Sequence, residues 1–327
     1  MSLPLSVLDL APVVSGTSAA ESVRRTVDLA QLAERLGYVR YWFAEHHSLP
    51  SVASSSPEVL IAHVAAHTER IRVGSGGIML PNHVPLRIAE AFHTLAALHP
   101  GRIDLGIGRA PGSEPIASQA LRAFDGNAFS SLMSELMQLS RGLYEPGHPF
   151  HTLTVMPPDV ERPPMFLLGS SGASATSAGR AGLGYAFASH FSATDPAPAI
   201  ATYRENFQPG EAFAKPHAIL GVAAVCAETD EAAQRLATTM ELAWLRIEQG
   251  EFLPLPSPEE ADAYAFTAGE RASIQRRRQL TVTGRPKTVR EEIERRVVAA
   301  GADEAMVVTN IWSHEARLRS YELLAAA

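Results

Sequence analysis

The chain has 327 residues, 46% hydrophobic and 19% charged, with a formal net charge of −7. That is enough apolar content for one large core, and too acidic for the basic footprint of a nucleic-acid binder. No apolar run reaches the roughly 18 residues needed to span a bilayer, and a single cysteine, Cys226, excludes an intrachain disulfide. The first residues, MSLPLSVLDLAPV, lack a basic segment followed by a long apolar core. The expectation is a cytoplasmic protein with a small-molecule partner, and with neither nucleic acid nor membrane.

Leu5 to Leu10 reads as a buried strand. The following helix, Ser22–Leu36, is opened by Ser18 and Glu21 in capping-box spacing and closed by Gly37. Val39 to Ala44 is the second strand, and Ser56-Pro57-Glu58 starts the next helix. Ile71 to Gly74 is the third strand. Pro81 and Pro85 then punctuate the loop before an amphipathic helix that leads to the fourth strand, Ile103 to Ile107. Later strands are Met165 to Leu168, Tyr185 to Ala188, Ala218 to Val225 and Ala305 to Thr309, set among helices such as Glu231–Ile247 and Glu315–Leu324.

Eight strands alternating with helices predict a (β/α)8 TIM barrel forming a single domain over residues 1–327. An open doubly wound sheet would carry G-x-G-x-x-G in its first βα turn, where this chain has PVVSGTSAAES. Two segments break the rhythm. Residues 144–164 are proline-rich without helical period, and 250–283 hold PLPSPEEADAY and the basic run ERASIQRRRQ. The second is read as an insertion before the last strand and a candidate mobile lid, with a solvated surface insertion as its alternative.

Ligands of such barrels sit at the carboxyl ends of the strands, so the residues just past each strand carry the functional reading. Glu45-His46-His47 follows the second strand. Neighbouring strand residues face opposite ways, so His46 and His47 are poorly placed to share a metal and none is expected; a general base or hydrogen-bond partner fits better. Gly76-Gly77 removes Cβ where a flat ligand could approach, and Gly108-Arg109 puts a cation behind a glycine. Gly169-Ser170-Ser171-Gly172-Ala173-Ser174 joins the fifth strand to a small-residue helix. An ordinary serine N-cap would explain it, but Arg109 comes from the preceding strand end and can converge on the same anion, so the pair is read as a phosphate site. His190, Asn82-His83 and Asn310 with Trp312 also stand at strand ends. No G-x-S-x-G elbow supports a hydrolase.

Together these motifs resemble the bacterial luciferase-like, flavin-dependent monooxygenase family: WFAEHH at 42–47, VGSGGIMLPNHVPLR at 73–87, GRIDLGIGR at 101–109, LGSSGASA at 168–175 and GADEAMVVT at 301–309. The resemblance implies a barrel that binds reduced FMN, reacts it with O2 and inserts one oxygen atom into a small, apolar organic substrate such as an aldehyde. By position, Gly76 and Gly77 would lie under the isoalloxazine, often at a cis peptide. Arg109, Ser170, Ser171 and Ser174 would hold the phosphate, and His46 would do acid/base work with Glu45 supporting it. Luciferases place a cysteine where this chain has Gly108, which argues against light emission. Their second phosphate-binding arginine has no aligned counterpart, Arg122 standing nearest but out of register. Reduced flavin is expected from a separate reductase that oxidises NAD(P)H, and a homodimer is expected by resemblance. The rival readings are a deazaflavin-dependent hydride-transfer oxidoreductase and a non-catalytic flavin-binding protein.

Overall fold

A strand covered on both faces runs apolar without alternation. The computed structural model, which describes residues 3–121 and 125–327, has such a strand at each of the eight expected places. They are β1 (Leu5–Asp9), β2 (Arg40–Phe43), β3 (Arg72–Met79), β4 (Ile103–Gly108), β5 (Met165–Gly169), β6 (Gly184–Phe187), β7 (Ala218–Cys226) and, after an additional β8 (Thr281–Gly284), β9 (Glu304–Val308). All pairs are parallel, and the order β6-β5-β4-β3-β2-β1-β9-β7 closes through β6–β7 into a (β/α)8 barrel. Arg122 lies outside the described residues.

The helices are α1 (Ala19–Arg35), α2 (Pro57–Ala66), α3 (Pro85–Leu98), α4 (Pro115–Leu121), α5 (Phe129–Arg141), α6 (Ala175–Arg180), α7 (Ala197–Glu205), α8 (Asp230–Glu248), α9 (Pro258–Ala263), α10 (Ala268–Arg278), α11 (Pro286–Ala300) and α12 (His314–Ala326). Their starts show which local signals operate. Ser18 accepts from the Glu21 amide at 3.2 Å, but the Glu21 carboxylate turns to Arg24 and Arg25, so only half of a capping box forms. Ser56 makes no side-chain cap, and Pro57 begins α2 by its fixed φ alone.

Segment 250–283 folds into α9 and α10 and opens into β8, the strand that sequence reading did not find. Leu255 is buried and clipped to the first βα loop, donating to Val13 O at 2.9 Å and accepting from Ser15 N at 2.8 Å. The basic run is not simply solvated. Arg277 meets Glu248 at 2.5 Å and lies 4.6 Å over Trp244, while Arg278 meets Glu241 at 2.7 Å, so α10 is docked on α8 by charge. From there β8 pairs with β7 from Ala223↔Thr281 to Cys226↔Gly284, above the barrel closure.

Inside the barrel the two-residue period of the strands stacks side chains in layers. At the amino end lies a charged layer: Arg40 bridges Asp104 at 2.7 Å and Glu304 at 3.1 Å, Arg72 adds to Asp104 at 2.6 Å, and His217 adds to Glu304 at 2.9 Å. Two residues further along each strand comes an apolar layer of Leu8, Trp42, Phe166, Ile219 and Met306. Ala44, Ala223 and Val308 follow in the same register. One more step of two brings the chain to the mouth, at His46, Ser170, His190 and Asn310.

Candidate active site at the barrel mouth

Glu45 has no solvent exposure, and both of its oxygens are engaged. Oε1 accepts from His47 Nε2 at 2.8 Å and His83 Nε2 at 2.9 Å; Oε2 accepts from the Met79 amide at 2.9 Å. A short turn, Leu80–Asn82, swings Asn82 and His83 back from the end of β3 to reach it. Burial raises the Glu45 carboxyl, but the His47 and His83 hydrogen bonds, the His83 charge and the Met79 amide outweigh it and bring the pKa down to about 2. His83 is correspondingly raised: burial works against its charge, and Glu45 prevails. Asn82 also donates to Pro111 O at 2.9 Å, so one carboxylate ties together the ends of β2, β3 and β4. Asn82 and His83 were weak signals in the sequence because only the turn after β3 brings them to Glu45.

His46 and His47 part company. His47 turns to Glu45, whereas His46 Nδ1 lies 3.3 Å from Gly112 O. Burial lowers the His46 pKa, only partly opposed by the Gly112 carbonyl and Glu45, so the ring is neutral at neutral pH. The hydrogen on Nδ1 faces the carbonyl, and Nε2 is left as the acceptor. Among the described residues, no three His, Cys, Asp or Glu side chains are grouped to hold a metal ion.

β3 continues through Gly76 and Gly77, whose peptide is cis, with an irregular register between Ser75 and Ile78. The protein's own packing also crowds both glycines, Gly76 against side chains and Gly77 against backbone. A Cβ on Gly76 would stand 2.9 Å from Leu8 Cδ1, and one on Gly77 would stand 2.7 Å from Gly106 O. Across the pair, a Cβ on Gly106 would fall on the Ser75 carbonyl. Because backbone cannot step aside as a side chain can, Gly106→Ala is expected to destabilise the fold by about 1–3 kcal/mol or more. Urea denaturation measures this, and an unchanged midpoint would contradict the close approach of β3 and β4. Gly108 differs, since its nearest obstacle is the thioether of Met79 at 2.8 Å, a flexible end that occupies the space beside it.

Arg109 is exposed after β4 and makes no hydrogen bond or ion pair with a described residue. On the adjacent strand, Ser170, Ser171 and Ser174 lead into α6. The Ser170 carbonyl accepts from Ser192 Oγ at 3.0 Å, while the Ser170 and Ser171 hydroxyls have no partner among the described residues. Ser174 is the N-cap of α6 without a side-chain cap bond, and its hydroxyl neighbours the buried Tyr185 hydroxyl.

The mouth thus combines a cation and hydroxyls without partners among the described residues, at the ends of β4 and β5, with a neutral histidine at the end of β2. Comparison with known proteins shows the family of the chain. The family model described as luciferase-like monooxygenase matches residues 3–304. A luciferase-like monooxygenase of Escherichia coli (strain K12) is 39% identical over 321 residues, covering 98% of this chain and 96% of that protein. An N-acetyl-S-alkylcysteine monooxygenase of Bacillus subtilis (strain 168) is 34% identical over 328 residues, covering 99% and 97%. Among solved structures, apo-MsnO8 superposes with a TM-score of 0.87 at 39% identity, covering 99% of this chain and 98% of that one. The oxygenating constituent of 3,6-diketocamphane monooxygenase of Pseudomonas putida, solved with FMN, shares the fold with a TM-score of 0.70 at 19% identity, covering 99% and 97%.

Proposed function

The chain belongs to the luciferase-like monooxygenase family, and from that premise we propose that it uses reduced FMN and O2 to oxygenate a small, apolar organic substrate, an aldehyde or an alkyl thioether. The observation that carries this reading is the exposed Arg109, one strand away from the Ser170 and Ser171 hydroxyls, none of them with a partner among the described residues. A flavin phosphate needs a cation and several donors in one place, and here they are present without a partner to displace among the described residues. Reduced FMN supplies two electrons, and O2 supplies the oxygen atom that enters the substrate, the second oxygen leaving as water.

The chain's own residues divide the remaining work. Arg109, Ser170, Ser171 and Ser174 hold the phosphate, and Gly76 and Gly77 form the flat wall for the ring. His46, neutral and with Nε2 open, takes and returns a proton beside the reacting atoms. Glu45 is a positioning residue that fixes three strand ends. Segment 250–283 closes the mouth against water as a lid, hinged where Leu255 is clipped to the first loop. A separate reductase that oxidises NAD(P)H delivers the reduced flavin, and the exposed Val59 on α2 and Leu98 on α3 belong to a homodimer contact of a cytoplasmic protein.

Arg109→Ala is expected to weaken reduced FMN about 10- to 100-fold, the range for loss of a charge-assisted contact. Anaerobic titration followed by flavin fluorescence measures it, and unchanged affinity would remove Arg109 from the phosphate site. Preference for a deazaflavin in the same titration would support hydride transfer instead. Tight binding of reduced FMN with no product from any aldehyde or thioether would support flavin storage.

A further inference from the structure

Two buried side-chain atoms at the mouth that the proposed flavin site does not use have no hydrogen-bond partner among the described residues. His190 follows β6 and Asn310 follows β9, the two barrel strands that flank β7. The Nδ1 atom of His190 and the Oδ1 atom of Asn310 are buried without a hydrogen bond. Leaving such atoms unsatisfied costs about 1–3 kcal/mol each, so an orphaned pair at a barrel mouth points to a ligand that completes it. The ring of His190 has been given room for this. β7 carries Gly221 beneath it, and a Cβ there would stand 2.6 Å from His190 Nδ1. Burial, and then the neighbouring His46, bring the His190 pKa down to about 4, so this imidazole too is neutral.

His190 also lines a cavity of about 40 Å3 between α8 and α10, whose wall combines the apolar Met240, Trp244, Leu245 and Ile274 with the Arg277–Glu248 and Arg278–Glu241 ion pairs. Since one water needs roughly 10–15 Å3 on this measure, the space has room for about three water-sized groups, enough for a short chain laid along the apolar part of the wall. The residue after Asn310, Ile311, belongs to the same apolar cluster as Met240 of that wall.

We propose that His190 and Asn310 are the substrate-holding pair of this site: together they bind a hydroxyl or secondary-amide group, and the cavity between α8 and α10 takes the short alkyl arm attached to it. The chemistry of the pair sets the class. Asn310 Oδ1 demands a donor, and the neutral His190 ring can both give and take a hydrogen, so a group that donates and accepts satisfies both. The proposal rests on the monooxygenase reading only for calling this ligand the substrate.

The test uses full-length protein with 15N-labelled histidine and three probes: 1-pentanol, N-butylacetamide and, as a control without a donor, methyl butyl ether. The two donor probes are expected to shift the His190 ring nitrogens saturably and the ether much less. His190→Leu and Asn310→Leu should each weaken the donor probes about tenfold, with His190→Gln recovering part of the loss, while the affinity for reduced FMN stays within about twofold of wild type. Equal binding of the ether, no response of His190 to any probe, or donor affinity unchanged in both leucine variants would overturn the pairing. Response at His190 in a protein that binds no reduced FMN would leave the pair standing and bring down the monooxygenase reading instead.

Discussion

Glu45→Gln is expected to lower the stability of the fold by about 3–5 kcal/mol, the cost of removing one side of a buried charge pair, and to weaken flavin binding at the same time. Glutamine matches the shape but presents an NH2 where two imidazoles and one amide donate, so at least one buried donor must lose its acceptor. The consequence reaches the mouth because the same carboxylate spaces β2, β3 and β4, which carry His46, Gly76-Gly77 and Arg109. The pH dependence gives a second check. The Glu45 carboxyl is depressed in the fold to about 2 from an ordinary value of 4.5, so its stabilising contribution, on the order of 3 kcal/mol, is complete above about pH 4.5 and is lost as pH falls through about 2. Wild type and variant should therefore differ most near neutrality and converge towards pH 2. Urea midpoints that match at pH 7 would show that the clasp at Glu45 is dispensable.

The barrel was legible because parallel strands buried on both faces leave continuous apolar runs, and eight of them stand out at VLDL, RYWFA, IRVG, IDLGI, MFLL, YAFA, ILGVAAV and AMVVT. β8 was not, since Thr281-Val282-Thr283 is three residues without an apolar run and pairs with β7 alone. The site was legible one strand end at a time. His46, Arg109 and the serines of 170–174 announce themselves by residue type just past a strand. What sequence spacing could not supply is which of these ends face each other: Arg40 reaches Glu304 across 264 residues, a contact that exists only once the barrel closes. A register signal was nevertheless present. Counting by two from Arg40 gives Trp42, Ala44 and His46, and counting by two from Glu304 gives Met306, Val308 and Asn310, so the inward residues of the mouth follow from those of the plug.

That plug carries the second large effect. Glu304→Ala removes a carboxylate that is almost fully buried and bound by Arg40, His217 and the Ser6 hydroxyl. Burial raises its pKa, but His217 and Arg40 prevail and hold it below the ordinary range, so it is a carboxylate at neutral pH. Without it the Arg40 guanidinium keeps only Asp104, already shared with Arg72 and with Trp42 Nε1 at 3.0 Å. The layer then holds two cations against one anion in a site closed by the apolar layer above. A loss of about 3–5 kcal/mol is expected, seen as a lower urea midpoint. Glu304→Gln should cost less, because its carbonyl can still accept from Arg40, although it leaves the charge imbalance. Flavin affinity supplies the discriminating measurement. The plug and the mouth are separated by the layer of Trp42, Phe166 and Met306, so variants that remain folded should bind reduced FMN as wild type does. A stable Glu304→Ala protein that has lost only flavin binding would mean that the two ends of the barrel are coupled through that layer, and that the plug shapes the site rather than simply closing the floor.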